Sequence, residues 1–149
     1  MENQTNRINT ESWGDTAVSG LLAGIVAGVV MAAFLAAAGF AGGGSVADVL
    51  AHFSAGEGGS PFSRLLTHLA VSGVYGIVWG YLLRIVCRLV AAPAWLVGLA
   101  YGLTLFLVAQ GLFLVGPTPL TGIPSLQFLV GHAIYGLTIG LSTGRRGGV

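Results

Sequence analysis

The stretch "IYGLTIG" at residues 134–140 places two glycines four residues apart inside a long apolar run. The same arrangement occurs in "VYGIVWG" at 74–80, and its first half occurs in "AYGLT" at 100–104. Residues four apart lie on one face of a helix, and small residues at that spacing let two membrane helices approach closely. The motif therefore predicts apolar helices that pack through glycine-lined faces.

The composition of the whole chain indicates a membrane protein. Its 149 residues are 54% hydrophobic and 7% charged, whereas a soluble domain carries about 25% charged residues. So few charges would leave large apolar patches exposed to water, and we therefore expect the lipid bilayer to be the main solvent. The net charge of +1 provides no basic stripe for phosphates, which argues against nucleic acid as a partner.

Four apolar segments are long enough to cross a hydrocarbon core, which takes about 20 residues of helix. We expect spans near residues 17–40, 62–90, 94–116 and 125–142, within one transmembrane domain at 17–142. Backbone groups in lipid must be satisfied within the chain, so the predicted class is an all-α, four-helix transmembrane bundle with GxxxG-type packing. The polar residues 1–16 and 143–149 are expected to be cytoplasmic.

The connection between the first two spans contains a candidate short helix, "SVADVLAHF" at residues 45–53. Ser45 and Asp48 have the spacing of a capping box, with Asp in place of the usual Glu. Four apolar residues then recur at helical spacing, namely Val46, Val49, Leu50 and Phe53. The pattern predicts an amphipathic helix that lies in the membrane interface between spans one and two.

The arginines predict the orientation of the chain in the membrane. With four spans, both termini and the connection between spans two and three lie on one side. That side holds five of the six basic residues, namely Arg7, Arg84, Arg88, Arg145 and Arg146, and the opposite side holds Arg64. By the positive-inside rule we expect a multi-pass protein of the cytoplasmic (inner) membrane with both termini in the cytoplasm.

Each predicted span carries a face of small residues. The residues expected at helix contacts are Gly20, Gly24 and Gly28 in span one, Ser72, Gly76 and Gly80 in span two, Gly98 and Gly102 in span three, and Gly136 and Gly140 in span four. Tyrosines precede three of these glycines, and their hydroxyls are expected to bond to carbonyls of neighbouring helices. These tyrosines and one glutamine form the predicted polar membrane cluster of Tyr75, Tyr101, Tyr135 and Gln110.

His68 and His132 are the ionisable side chains expected at membrane depth, where such groups are rare and are candidates for function. One interpretation makes them an axial pair for haem b, or ligands of a chlorin, with Arg64 near a propionate. Aligning Gly76 with Gly136 separates the two histidines by about one turn, roughly 6 Å in height. The other interpretations are hydrogen bonds between helices, to a carbonyl, Gln110 or a tyrosine, and a proton path.

Three longer stretches resemble a family of small four-span prokaryotic membrane proteins of unknown function, the YagU-like inner-membrane proteins. They are "GLLAGIVAGVVM" at residues 20–31, "AWLVGLAYG" at 94–102 and "GHAIYGLTIG" at 131–140. The resemblance covers roughly residues 18–142 and implies the four-helix architecture. It implies no activity and no catalytic residues.

The sequence favours a non-catalytic membrane protein, with no catalytic or metal-ligating residues predicted. We expect an accessory or scaffold subunit of a larger membrane complex, of a respiratory or photosynthetic kind, with other subunits or its own copies as partners. The first alternative is a haem b or chlorin carrier that uses His68 and His132. The second is a homo-oligomeric channel or carrier.

Overall fold

The computed structural model describes residues 12–53, 59–89, 92–115 and 122–144. These residues form five helices and no strand, in the order α1 (Trp13–Ala41), α2 (Val46–Ala51), α3 (Pro61–Leu89), α4 (Ala94–Val115) and α5 (Ser125–Gly144). Four of the helices, all except α2, are long and apolar enough to cross a membrane. The predicted all-helical class with four long apolar helices is confirmed.

Two ends of the long helices differ from the sequence prediction by two residues or more. Helix α1 begins at Trp13 rather than near residue 17, because the Ser12 hydroxyl accepts a hydrogen bond from the Asp15 amide at 3.1 Å and the Asp15 carboxylate accepts one from the Ser12 amide at 3.0 Å. This capping box starts the helix ahead of its apolar run. Helix α5 continues to Gly144, beyond the predicted end at 142. Arg7, Arg145 and Arg146 lie outside the described residues.

Helix α2 begins with a second capping box. The Asp48 carboxylate accepts a hydrogen bond from the Ser45 amide at 2.8 Å, and the Asp48 amide donates to the Ser45 hydroxyl at 3.2 Å. The Ser45 hydroxyl also donates to the carboxylate, at 2.7 Å. Because the Ser45 amide and hydroxyl both favour the charged carboxylate, the pKa of Asp48 lies below its ordinary value. The apolar side of α2 packs onto the long helices, with Phe53 buried and the Val49 side chain against Gly39.

Helices α1 and α3 form a tight antiparallel pair. Gly20, Gly24 and Gly28 of α1 lie against Ser72, Gly76 and Gly80 of α3. A Cβ atom added to Gly76 would lie 2.7 Å from the Cα atom of Gly24, which is closer than side-chain carbons approach a backbone. The two backbones are therefore in direct contact along these residues.

Helices α4 and α5 form a second pair of the same kind. Gly98 and Gly102 lie against Gly136 and Gly140, and a Cβ atom added to Gly98 would lie 2.8 Å from the Cα atom of Gly140. Helix α1 also packs along α5, where Met31 and Leu35 contact Gly131. The helices consequently follow one another in space as α3, α1, α5 and α4, and α3 meets α4 over a shorter length.

The bundle has two ends, which we call the α2 end and the terminal end. The α2 end holds α2, the end of α1 and the start of α3. The terminal end holds the start of α1 and the end of α5.

A single methyl group at Gly76 is expected to separate α1 from α3. We predict that Gly76→Ala destabilises the protein by about 1–3 kcal/mol, because the added carbon has no space against Gly24. Reversible unfolding in mixed micelles measures the change.

Gly111 provides the matched control, since a Cβ atom there meets nothing within 4 Å. Gly111→Ala is expected to leave stability unchanged or slightly raised, because alanine has the higher helix propensity. Equal effects of the two substitutions would contradict direct backbone contact at Gly76.

Candidate functional site

A cavity of about 200 Å³ lies between the long helices in the half of the bundle nearer to the α2 end. Its wall is largely apolar and aromatic, with a few polar side chains. The residues that line it are Met31, Leu35, Phe53, His68, Val71, Ser72, Tyr75, Leu105, Ala109, Leu112, Phe113, Phe128, His132 and Tyr135. Residues from all four long helices line the cavity, together with Phe53, which follows α2.

The exposed residues of the cavity wall lie on α3 and α4, which indicates an opening between these two helices. Three of the wall residues are exposed on the outside of the bundle, with Val71 at 47%, Tyr75 at 36% and Leu112 at 59% of their surface. In a membrane this surface faces the acyl chains. A molecule dissolved in the bilayer therefore has a lateral route to the cavity.

Two tyrosines and a tryptophan join α3 to α4 and α5 on the terminal side of the cavity. The Tyr101 hydroxyl donates to the Tyr75 carbonyl at 2.8 Å, and the Tyr135 hydroxyl donates to the Ser72 carbonyl at 2.8 Å. Trp79 is completely buried, packs against Tyr101 at 5.3 Å between ring centroids, and donates through Nε1 to Thr143 at 3.2 Å. These bonds join α3 to α4 and to α5, two helices with which α3 shares no glycine contact among the described residues.

His68 connects α3 to α1 at the cavity wall. Its Nε2 atom lies 3.1 Å from the Gly28 carbonyl, and Phe53 stacks on its ring with the centroids 4.4 Å apart. A carbonyl only accepts hydrogen bonds, so Nε2 carries the proton in this contact. The neutral ring is then left with its Nδ1 lone pair as an acceptor.

His132 uses the opposite nitrogen. Its Nδ1 atom lies 2.9 Å from the Phe128 carbonyl one turn earlier in α5, and the rings of Phe128 and Phe106 meet it edge to face. By the same reasoning Nδ1 carries the proton, and the Nε2 lone pair is the remaining acceptor. Both histidines therefore bond to backbone carbonyls through N–H and retain one acceptor nitrogen each.

The two histidines line the same cavity although their distances from the aligned glycines differ. Tyr135 of α5 bonds to Ser72, which lies four residues before Gly76 in α3. If Gly76 and Gly136 lay at the same height, Tyr135 would be level with Tyr75. The bond of Tyr135 to Ser72 instead indicates that α5 is shifted by about one turn along α3. The shift removes the height difference expected from the sequence.

The structure does not bring every predicted residue to this site. Gln110 is half-buried but does not line the cavity. Arg64 donates through Nη1 to the Ala51 carbonyl at 2.8 Å, at the end of α2, and it does not line the cavity either. Sequence reasoning missed Phe53, Phe113 and Phe128 as wall residues, although Phe128 precedes His132 by one turn.

A tetrapyrrole fits this geometry poorly. Ligand pockets for drug-sized molecules have volumes of about 300–1,000 Å³, and this cavity has about 200 Å³. Ligation of one iron by the Nε2 atoms of both histidines would also require His68 to give up its bond to Gly28. Among residues 12–53, 59–89, 92–115 and 122–144, no group of three His, Cys, Asp or Glu side chains is arranged to hold a metal ion.

Fold and cavity together define a multi-pass, four-helix membrane protein with a small cavity between its long helices. No family model, curated protein or solved structure matches the chain.

Removal of the Tyr135 hydroxyl tests the bonds that join α3 to α4 and α5. We predict that Tyr135→Phe lowers the free energy of unfolding by about 0.5–1.5 kcal/mol, because a buried hydrogen bond between α5 and α3 is lost. Thermal or denaturant unfolding in micelles measures the change.

Tyr81→Phe is the control, because the Tyr81 hydroxyl makes an exposed contact of 3.5 Å with the Trp13 carbonyl. This substitution is expected to have no measurable effect on stability. If Tyr135→Phe were equally neutral, the hydroxyl would not hold α5 against α3.

Proposed function

We propose that this chain is a non-catalytic accessory or scaffold subunit of a larger complex in the cytoplasmic membrane. The observation that carries the proposal is a face of small residues that the bundle itself leaves unused. Ala33, Ala37 and Ala41 of α1 are spaced four residues apart and are all exposed. Lipid-facing helices gain nothing from such small side chains, whereas helix–helix interfaces in membranes are enriched in them.

The glycine-lined faces are not open to a further partner. The small residues of α1, α3, α4 and α5 named above contact one another within the two pairs. They are therefore buried and not available to a partner subunit. We assign the partner to the alanine face of α1, which is defined by Ala33, Ala37 and Ala41. It carries small residues at the same four-residue spacing as the glycine-lined faces.

A structural role also agrees with how the interior polar groups are used. Tyr101, Tyr135 and His68 each bond to a backbone carbonyl of another helix. Polar side chains that join helices in this way act as structural contacts in membranes. The resemblance of residues 18–142 to the YagU-like proteins is part of the same proposal.

Substitution at the centre of the alanine face tests the proposed role. From gently solubilised membranes of the native host, we expect native mass spectrometry to detect the tagged chain in a fixed stoichiometry with a different membrane protein. Ala37→Phe is expected to release the chain as a monomer, because the larger ring prevents close approach of the partner helix.

Val78→Phe is the matched control, since Val78 is 50% exposed on α3 and already carries a large side chain. The complex is expected to survive this substitution. A chain that is monomeric before substitution would contradict the proposal. A ring of identical copies would instead favour the homo-oligomeric channel or carrier.

The proposed orientation places both termini in the cytoplasm. It rests on the five arginines of the terminal side and on aromatic residues at that end of the bundle, where Trp13 lies under the Arg84 guanidinium at 4.4 Å and Trp95 is 45% exposed. A cysteine added after Val149, in a Cys87→Ser background, is expected to resist a membrane-impermeant maleimide in intact cells. Labelling before lysis would contradict the orientation.

The haem b or chlorin carrier is the alternative in which His68 and His132, which line one cavity, hold the cofactor, and the small volume of that cavity weighs against it. A Soret band in the purified complex, lost in both His68→Ala and His132→Ala, would support it over the accessory role.

A further inference from the structure

Three polar side chains of the cavity, those of His68, His132 and Tyr135, share one property that the accessory role does not use. His68 and His132 each donate their N–H to a backbone carbonyl, so the nitrogens that remain are acceptors. The Tyr135 hydroxyl likewise donates to the Ser72 carbonyl and retains its oxygen lone pairs. The site therefore offers several hydrogen-bond acceptors in an apolar surrounding. Ser72 and Tyr75 also line the cavity, and their hydroxyls can donate or accept.

The acceptor nitrogens of His68 and His132 favour ligands that carry hydrogen-bond donors. A molecule with carbonyl oxygens alone would leave both imidazole nitrogens without partners, which is costly in an apolar site. A molecule with hydroxyl donors would satisfy them. A cation is disfavoured because, among the described residues, the wall contains no carboxylate, and an anion is disfavoured because it contains no arginine or lysine.

The size and shape of the cavity restrict the ligand further. An engineered cavity of about 150 Å³ in another protein holds a benzene molecule, so about 200 Å³ accommodates one substituted ring. Phe53, Phe113 and Phe128 provide aromatic surfaces for edge or offset contacts with that ring. The lateral opening between α3 and α4 leaves space for an apolar tail to extend into the bilayer.

We propose that the cavity binds the phenolic head of a lipid-soluble hydroquinone, with its hydroxyl groups donating to His68 and His132. The oxidised quinone has carbonyl oxygens in place of these hydroxyls. The cavity thus discriminates between the two redox forms of one molecule by binding the reduced form more tightly. Binding involves this chain alone, so it is independent of the proposed accessory role.

Direct titration of the purified full chain tests the proposal. The protein is placed in phosphatidylcholine nanodiscs and titrated calorimetrically, without oxygen, with trimethylhydroquinone and separately with trimethylbenzoquinone. Empty nanodiscs correct for partition into lipid. We expect the hydroquinone to bind about tenfold more tightly than the quinone, since only the hydroquinone donates to the imidazole nitrogens.

Two variants assign the binding to this cavity. His132→Phe keeps an aromatic ring but removes one of the two acceptors, and it is expected to lower hydroquinone affinity about threefold without lowering quinone affinity. Ala109→Phe is expected to abolish binding of both forms, because Ala109 lines the cavity and the added ring fills it. Gln110→Leu, at a neighbouring position outside the wall, is expected to change neither affinity.

If His132 were purely structural, its substitution would not alter the preference for the reduced form. Equal affinities of the two forms, or tighter binding of the quinone, would overturn the proposal. So would a preference that is undiminished in His132→Phe, or binding that Ala109→Phe leaves intact. Thermal unfolding of each variant identifies loss of the fold, and if His132→Phe does not fold, the Ala109→Phe titration and the ratio of affinities in the wild-type chain decide.

Discussion

Direct contact between helix backbones is the constraint on which this structure depends. In lipid, apolar side chains gain nothing by leaving one apolar surrounding for another, so helices associate through close packing and hydrogen bonds. Gly24 against Gly76, and Gly98 against Gly140, bring two pairs of helices to the shortest separation that backbones permit. Larger side chains are excluded from these contacts and occupy the space between the pairs.

The cavity is a result of how the two pairs meet. Helix α1 connects the pairs by packing on α5, whereas α3 and α4 belong to different pairs and share no glycine contact. At the terminal end Trp79 and Tyr101 fill the space between them, and at the α2 end that space remains open. Phe53, which follows α2, and His68 stack on each other at its edge. The site therefore lies where the packing motif is absent.

Much of the architecture was predictable from the sequence, because length and hydropathy determine which segments can cross a membrane. Four long helices and the Ser45–Asp48 capping box follow from local rules that need no knowledge of the neighbours. Hydropathy alone predicts the start of α1 too late, because it does not register a cap such as Ser12.

The site was less predictable, because it depends on the register of helices that are distant in sequence. Both histidines could be identified as unusual residues at membrane depth, but the shift between α3 and α5 that brings them to one cavity depends on contacts such as that of Tyr135 with Ser72. Likewise, the bond from Arg64 to the Ala51 carbonyl depends on where α2 packs, and no spacing rule predicts it.

The paired glycines also determine how this protein can diverge over evolution. A methyl group added on one side of such a contact has no compensating change on the other, because glycine has no side chain left to shorten. Drift at these positions is restricted to the smallest residues, while the lipid-facing valines and leucines are free to interchange. Distant relatives would accordingly be recognised by the four-residue spacing of their small residues. Overall percentage identity would be a poor guide to them.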